Sequence, residues 1–421
     1  MGEINLDNTG SGSSVTLSSD GTSLLLDGTA IGGGGGADLY AANESTPSAQ
    51  PSATGTNAIA IGEESVASGN NSFAVNTQNS IKGATGSNTI AMGDQALAEG
   101  SYSVAIGRLA RAGASASNSV AIGNEAYATG QQSVSIGYDA TCLNNSYALA
   151  IGYDAYTVAG NYATAIGNSY AQGGGAFAAN IANNTSTYGA TGANSIAMGY
   201  QAKATGAKSV AISSNTYSGS AVASANGAVA IGDGPTASGI GSTSIGRGCT
   251  ASGVNAIAMG RSAQATAEAA VAIGYPAYSD VKGGIAFAGS GYFGSALGDA
   301  QGRMYILRVE TSDATATELA ESSARIKVPT NGAVVFDGLI TGLESGVNSY
   351  AGWKVEGMIV NDAGTTTLVN SAITVIHNTP SWGLALTADN TNNRLAITVT
   401  GEASHNIRWV ANIRTVETIY A

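Results

Sequence analysis

The chain has 421 residues, of which 59 are Gly and only 10% are charged, with a formal net charge of −12. An ordinary globular domain has about 25% charged residues and about 7% Gly, and a nucleic-acid binder or an anionic-membrane binder shows a basic stripe; none is visible here. With 43% apolar residues the chain is not a disordered one either, and a thin, repetitive β structure is the composition's natural reading.

The first residues, Met1 to Leu6, lack the basic and apolar regions of a signal peptide. No apolar run approaches the ~18 residues of a membrane span, so no membrane insertion is expected. Residues 1–31 alternate polar and apolar around Val15-Thr16-Leu17 and Leu24-Leu25-Leu26, predicting one or two short strands. Gly32 to Gly36 forms a flexible joint. Residues 1–36 are expected to dock onto a larger particle, and 37–56, with Pro47 and Pro51, to form an extended connector.

From 57 to 288 one phrase dominates: apolar, Ala, apolar, Gly. It closes at Gly62, Gly93, Gly107, Gly123, Gly137, Gly152, Gly199, Gly232, Gly260 and Gly274, with weaker copies ending at Asn76, Gly167, Asn180, Ser213, Gly246 and Ala288. The commonest spacing is 14 residues, which two strands of about five residues and two turns of about two would fill. The middle position is always Ala or Ser. Alternation sends Val104 and Ile106 to one side and Ala105 to the other. The large side is expected to fill the coil interior, and the small side to admit a neighbouring surface. The closing Gly marks a turn with positive φ; Asn76 and Asn180 are the next most tolerant residues there. In the second strand Ala96 and Ala98, or Ala126 and Ala128, should point inward, with Leu97 and Tyr127 outward. Cys142 and Cys249 stand at inward Ala positions and read as small buried residues, too far apart to pair. A coil of such small residues buries too little by itself, which predicts that neighbouring chains complete the core. Sixteen coils would stack to about 75 Å.

The run Asn118-Ser119-Val120-Ala121-Ile122-Gly123-Asn124-Glu125-Ala126-Tyr127-Ala128-Thr129-Gly130 resembles the head repeat of trimeric autotransporter adhesins, the YadA-like family. The resemblance implies a left-handed parallel β-roll, associated as a homotrimer. That family also has a coiled-coil stalk and a membrane anchor, which this sequence does not show. A repeat without an export signal or an anchor points to a virion appendage, made in the host cytoplasm and acting outside the cell.

Residues 289–320 read as a transition segment. In 321–421 the composition changes: Trp353, Trp382 and Trp409 and both histidines, His377 and His405, lie there. Strand-like runs at 303–310, 324–328, 333–341, 350–360, 366–377, 382–387, 394–399 and 406–417 predict an antiparallel, jelly-roll-like β-sandwich that trimerises and contacts a receptor. The stretch Ile407-Arg408-Trp409-Val410-Ala411-Asn412-Ile413-Arg414 resembles C-terminal domains of tailed-phage fibres, cyanophage-like ones especially. The fold class is thus all-β, and the function host-surface attachment without catalysis, toward a cell-surface polysaccharide or protein. The N-terminus would meet other tail or capsid proteins.

Trp353 and Trp409 alternate with apolar residues and read as core. Trp382, between Pro380 and Gly383, reads as a receptor contact together with Tyr350 and His377. Asp139 and Asp154, each following a Tyr, fall at matching places on adjacent coils but read as turn residues, so no catalytic residue is assigned. Two histidines without a shared spacing make no metal site, and no cofactor is implied.

Overall fold

The computed structural model describes residues 50–78, 82–182, 187–214, 219–289, 297–320, 325–346, 349–378 and 380–420, together with four short strands before residue 32. The predicted glycine joint, and the connector up to residue 49, lie outside the described residues. The chain divides into two compact units, Met1–Ile166 and Gly167–Ala421. Described residues are in strands and turns throughout.

In the first unit, Ile4–Leu6, Val15–Ser19, Leu24–Leu26 and Thr29–Ile31 form an antiparallel meander. The repeat then folds into parallel coils, as expected. Each coil has a three-residue strand (Val104–Ile106, for example) and a two-residue strand (Arg111–Ala112). The first strands stack in strict register, Ala60 on Ala74, Ala91, Ala105, Ala121, Ser135, Ala150 and Ala165. The second strands do likewise, from Ala53 on Ala67 to Ala128 on Cys142. Coil stacking thus begins at Ser52–Ala53.

The second unit repeats the pattern, with Ala178, Ala197, Ala211, Ala230, Ser244, Ala258, Ala272 and Ala286 in one column. The two units together carry about sixteen turns of the solenoid.

The coil interior differs from expectation. The alanines of both strands point inward and are fully buried: Ala105, Ala121, Ala112 and Ala128 have no exposed surface. The Val, Ile and Met side chains point outward, and Ile90, Ile136, Ile151, Met198, Ile257, Met259 and Ile273 are each more than one third exposed. The reason is width. Cα atoms of the two strands of a coil approach within 8 Å, where ordinary stacked sheets stand ~10 Å apart. Only side chains as small as Ala, Ser, Cys or Thr fit between strands that close. Cys142 and Cys249 are buried among those small side chains, as expected.

Five long strands follow in the second unit: Ala300–Thr311, Gly332–Glu344, Tyr350–Asp362, Thr365–Asn378 and Ile407–Ile419. They make one antiparallel sheet in which 407–419 lies between 300–311 and 332–344, followed by 350–362 and 365–378. The last coil strand, Ile285–Ala288, pairs with 300–311, so this sheet grows directly from the coils of its unit. A small sheet of Gly383–Asp389, Arg394–Thr400, Thr317–Glu318 and Ile326–Lys327 covers one face. Between the sheets lie Tyr305, Phe336, Trp353, Trp409, Leu395 and Ile397. The two-sheet arrangement is as expected, with five long strands facing four shorter ones.

A buried ionic cluster ties the last coil to this domain. Arg303 bonds Asp280 at 2.9 Å and Glu417 at 3.1 Å, and Lys327 bonds the other oxygen of Asp280 at 2.9 Å. Thr415 donates to Glu417 at 2.7 Å, and Tyr305 donates to it at 3.3 Å. Burial raises the Tyr305 phenol above its ordinary range, and the adjacent Glu417 charge pushes the same way. Burial also pushes the Asp280 carboxyl up, but Lys327 and Arg303 outweigh it and hold it below the usual aspartate range.

Candidate functional site

Two of the three predicted contact residues meet on the surface. Tyr350 and His377 lie on neighbouring strands, and their rings stack at 4.9 Å with 21° between planes. A register shift beside Trp353 brings them together: Trp353 pairs with Val375, and Gly352 with His377, so Ile376 is skipped and thrown outward. Both rings are exposed, an aromatic-imidazole shelf at the end of the large sheet.

Trp382 is elsewhere. It is 4% exposed, so the predicted surface contact is corrected to a core residue. Asn378 pins it: the Asn378 Nδ2 donates to the Trp382 carbonyl at 2.8 Å, and the Trp382 N–H donates to Asn378 Oδ1 at 2.9 Å. Its ring meets Trp409 edge-on at 5.2 Å, and Trp409 stacks on Trp353 at 5.9 Å. The Trp409 indole donates to Thr311 at 2.9 Å.

The ten predicted turn glycines, Gly62, Gly93, Gly107, Gly123, Gly137, Gly152, Gly199, Gly232, Gly260 and Gly274, all have positive φ, from 85° to 135°. Most of that range lies beyond what Asn tolerates; Asn76 and Asn180 sit at 52° and 53° instead. A second left-handed residue per turn was missed from the sequence. Glu125, Asp139 and Asp154, two residues past the Gly, have φ of 58°, 53° and 53°. The opposite turn has its own, at Asn71, Asn88, Asn118, Asn194 and Asn255, with Tyr102, Gln132 and Lys208 in the same place on other coils; the Asn recurring two residues before the apolar-Ala-apolar phrase was the legible signal.

On the first unit's coils, Tyr138 stacks on Tyr153 at 5.4 Å, and Tyr147 on Tyr162 at 4.8 Å, each pair 8° from parallel. The register that stacks the alanines also stacks these rings. Asp139 and Asp154 follow the first pair, and the Asp154 N–H bonds the Tyr138 carbonyl at 2.9 Å. Among the described residues, no three His, Cys, Asp or Glu side chains group as metal ligands.

The YadA head domain repeat matches residues 53–75, 84–110, 114–140, 190–212 and 251–275, so repeats of this kind are present in both units. Their coil geometry defines the class: a β-solenoid of YadA head repeats followed by an antiparallel two-sheet domain. Among solved structures the chain is similar to the tailspike gp49 of Acinetobacter baumannii bacteriophage Fri1, described as a capsular polysaccharide depolymerase. That likeness has 11% identity, covers 85% of this chain and 70% of that one, and has a TM-score of 0.21. The tailspike of Acinetobacter phage vB_ApiP_P1 is similar at 10% identity, 88% and 81% coverage and a TM-score of 0.20. Likeness at this level says nothing of activity. The chain matches no curated protein.

Proposed function

We propose that the chain is a homotrimeric, non-enzymatic attachment appendage of a tailed-phage virion. The carrying observation is the outward set of large apolar side chains, chiefly Val, Ile and Met, on the coils over an interior made chiefly of alanine. A single coil stack leaves its most apolar face in water, and soluble monomers rarely expose a contiguous face of that kind. The YadA head repeats support the trimer, since the resemblance to trimeric adhesins implies that three such faces would cover one another. In this reading the N-terminal strands dock on tail or capsid proteins and the coils act as a spacer. The Tyr350–His377 shelf then meets a host polysaccharide or surface protein. Aromatic faces stack on sugar rings, and three weak sites on one trimer add through multivalency.

The test uses the full chain, labelled, with cells of the phage's host. Saturable binding and slowed phage adsorption are expected, with at least a tenfold loss of apparent affinity in a Tyr350→Ala, His377→Ala double variant. A chain that neither binds nor competes is a decorating fibre instead. Release of reducing ends from host polysaccharide would overturn the non-enzymatic assignment.

A further inference from the structure

The uncovered face of the large sheet in the second unit carries a row of apolar side chains that continues the coils. Ile273 pairs with Phe287, Phe287 with Gly302, Gly302 with Val416, Val416 with Val335, and Val335 with Met358. Paired residues share a face of the sheet, so the outward column of the last two coil strands continues across four strands of the large sheet, interrupted only at Gly302. Phe287 is 48% exposed, Val416 70%, Val335 52% and Met358 36%. Leu339 and Ile306 widen the patch and are exposed as well. Gly302, lacking a side chain, leaves a hollow of about 440 Å³ bordered by Phe287, Met304, Val335 and Val416.

Charge decides what such a face accepts. The whole chain carries −12, so a second copy would be repelled by an acidic surface. Here charges of both signs are paired: Arg414 with Asp337, Arg408 with Glu310, and Lys354 with Glu356. The face is therefore apolar and locally balanced. The opposite face of the same sheet is already covered by the small sheet.

We infer that this face, centred on Val416 and Val335, is where a second copy of the chain packs, and that the small sheet looks outward in the assembled fibre. The inference rests on the homotrimer reading and extends it from the coils to the terminal domain. It also makes Gly302 a socket for an apolar side chain of the neighbouring copy.

Single-cysteine variants of the full chain test it, because Cys142 and Cys249 are buried and stay silent. Val416→Cys reports on the terminal sheet, Ile273→Cys on the coils, and Thr387→Cys on the exposed side of the small sheet. After brief oxidation, cross-linked chains are expected for Val416→Cys and Ile273→Cys, and none for Thr387→Cys. Cross-linking at Ile273 without any at Val416 would overturn the inference while leaving the coil association standing; a glycan or a foreign protein on this face would give that result. No cross-link at either place, with a monomer in sedimentation, would overturn the association reading and this inference with it.

Discussion

At Gly123 the backbone has φ +132°, and a β-carbon there would lie 2.2 Å from the carbonyl oxygen of Gly137 on the next coil. Gly167 has φ +70° and nothing within 4 Å of that position. The two glycines differ both in backbone strain, since +132° lies outside the left-handed α region and +70° at its edge, and in collision. Gly167→Ala is expected to cost about 1 kcal/mol, the left-handed penalty alone, and Gly123→Ala roughly 2–4 kcal/mol, because the neighbouring coil must also move. Thermal unfolding followed by circular dichroism measures both; equal losses would contradict the collision argument. Two small polar substitutions in the first-strand alanine columns are compensated locally. Ser135 replaces an alanine, donates to the Tyr127 carbonyl at 2.7 Å and accepts the Cys142 N–H at 3.1 Å. Ser244 likewise donates to the Cys249 sulfur at 3.1 Å. Ser135 and Ser244 thus sit beside the inward Cys142 and Cys249, and Ser279, in the second-strand column, donates to the Gly284 carbonyl at 2.9 Å instead. Turn glycines were legible because φ between 85° and 135° leaves few alternatives, whereas φ near 55° admits Glu, Asp, Asn and others. Trp382 was misplaced because Pro380 and Gly383 advertise a loop, while the Asn378 clamp that draws the ring inward has no sequence signature.

At the scale of the coil, alternation within Val-Ala-Ile defines two faces but does not say which one is inside. The distance between the two strands decides that, and no property of one strand encodes it. The signal available was the second strand, whose inward positions are alanine as well: two small faces imply a narrow interior. The expected consequence is an asymmetry opposite to that of ordinary cores. Ala121→Leu should cost about 1–3 kcal/mol by overpacking, whereas Ile122→Ser should change the stability of an isolated coil stack by under ~1 kcal/mol. Chemical denaturation of dilute protein checks the pair.

The joint of the last coil obeys a different rule. Removing Arg303 leaves Glu417 buried and uncompensated, so Arg303→Met is expected to cost about 3–5 kcal/mol. Adding Glu417→Gln should recover part of the loss, a coupling read in a double-mutant cycle. Asp280 adds a pH dependence. Its carboxyl is held below its unfolded value of about 3.9, so its contribution is complete above that pH and is lost as pH falls through the lower folded value. Melting temperatures of the native chain and of Asp280→Asn should therefore differ at pH 6 and converge once the pH has fallen through the lowered folded value; a gap that persists in acid would exclude the ionic cause.

For the whole molecule the question is what covers the outward columns. Charged residues are only 10% of the chain, so a charged coat does not offset the exposed apolar columns, and the proposed association would hide them against like surfaces. Repetition made this legible: the same large residues recur at the same place in each coil, whichever way they point. A trimer was expected for the wrong face, and the turned orientation strengthens it, since Val and Ile columns offer far more apolar area than alanine. One carboxylate per unit tests the conclusion, Ile106→Asp in Met1–Ile166 and Ile245→Asp in Gly167–Ala421. Each side chain projects away from the alanine interior, so the far-ultraviolet spectrum of the coils should survive. Association should not: a buried, unpaired carboxylate costs several kcal/mol, and in a trimer three of them meet. Sedimentation equilibrium at micromolar concentration is expected to show trimer for the native chain and a shift of at least tenfold in the dissociation midpoint for either variant. A native chain that sediments as monomer, or variants that associate unchanged, would mean that the columns face water.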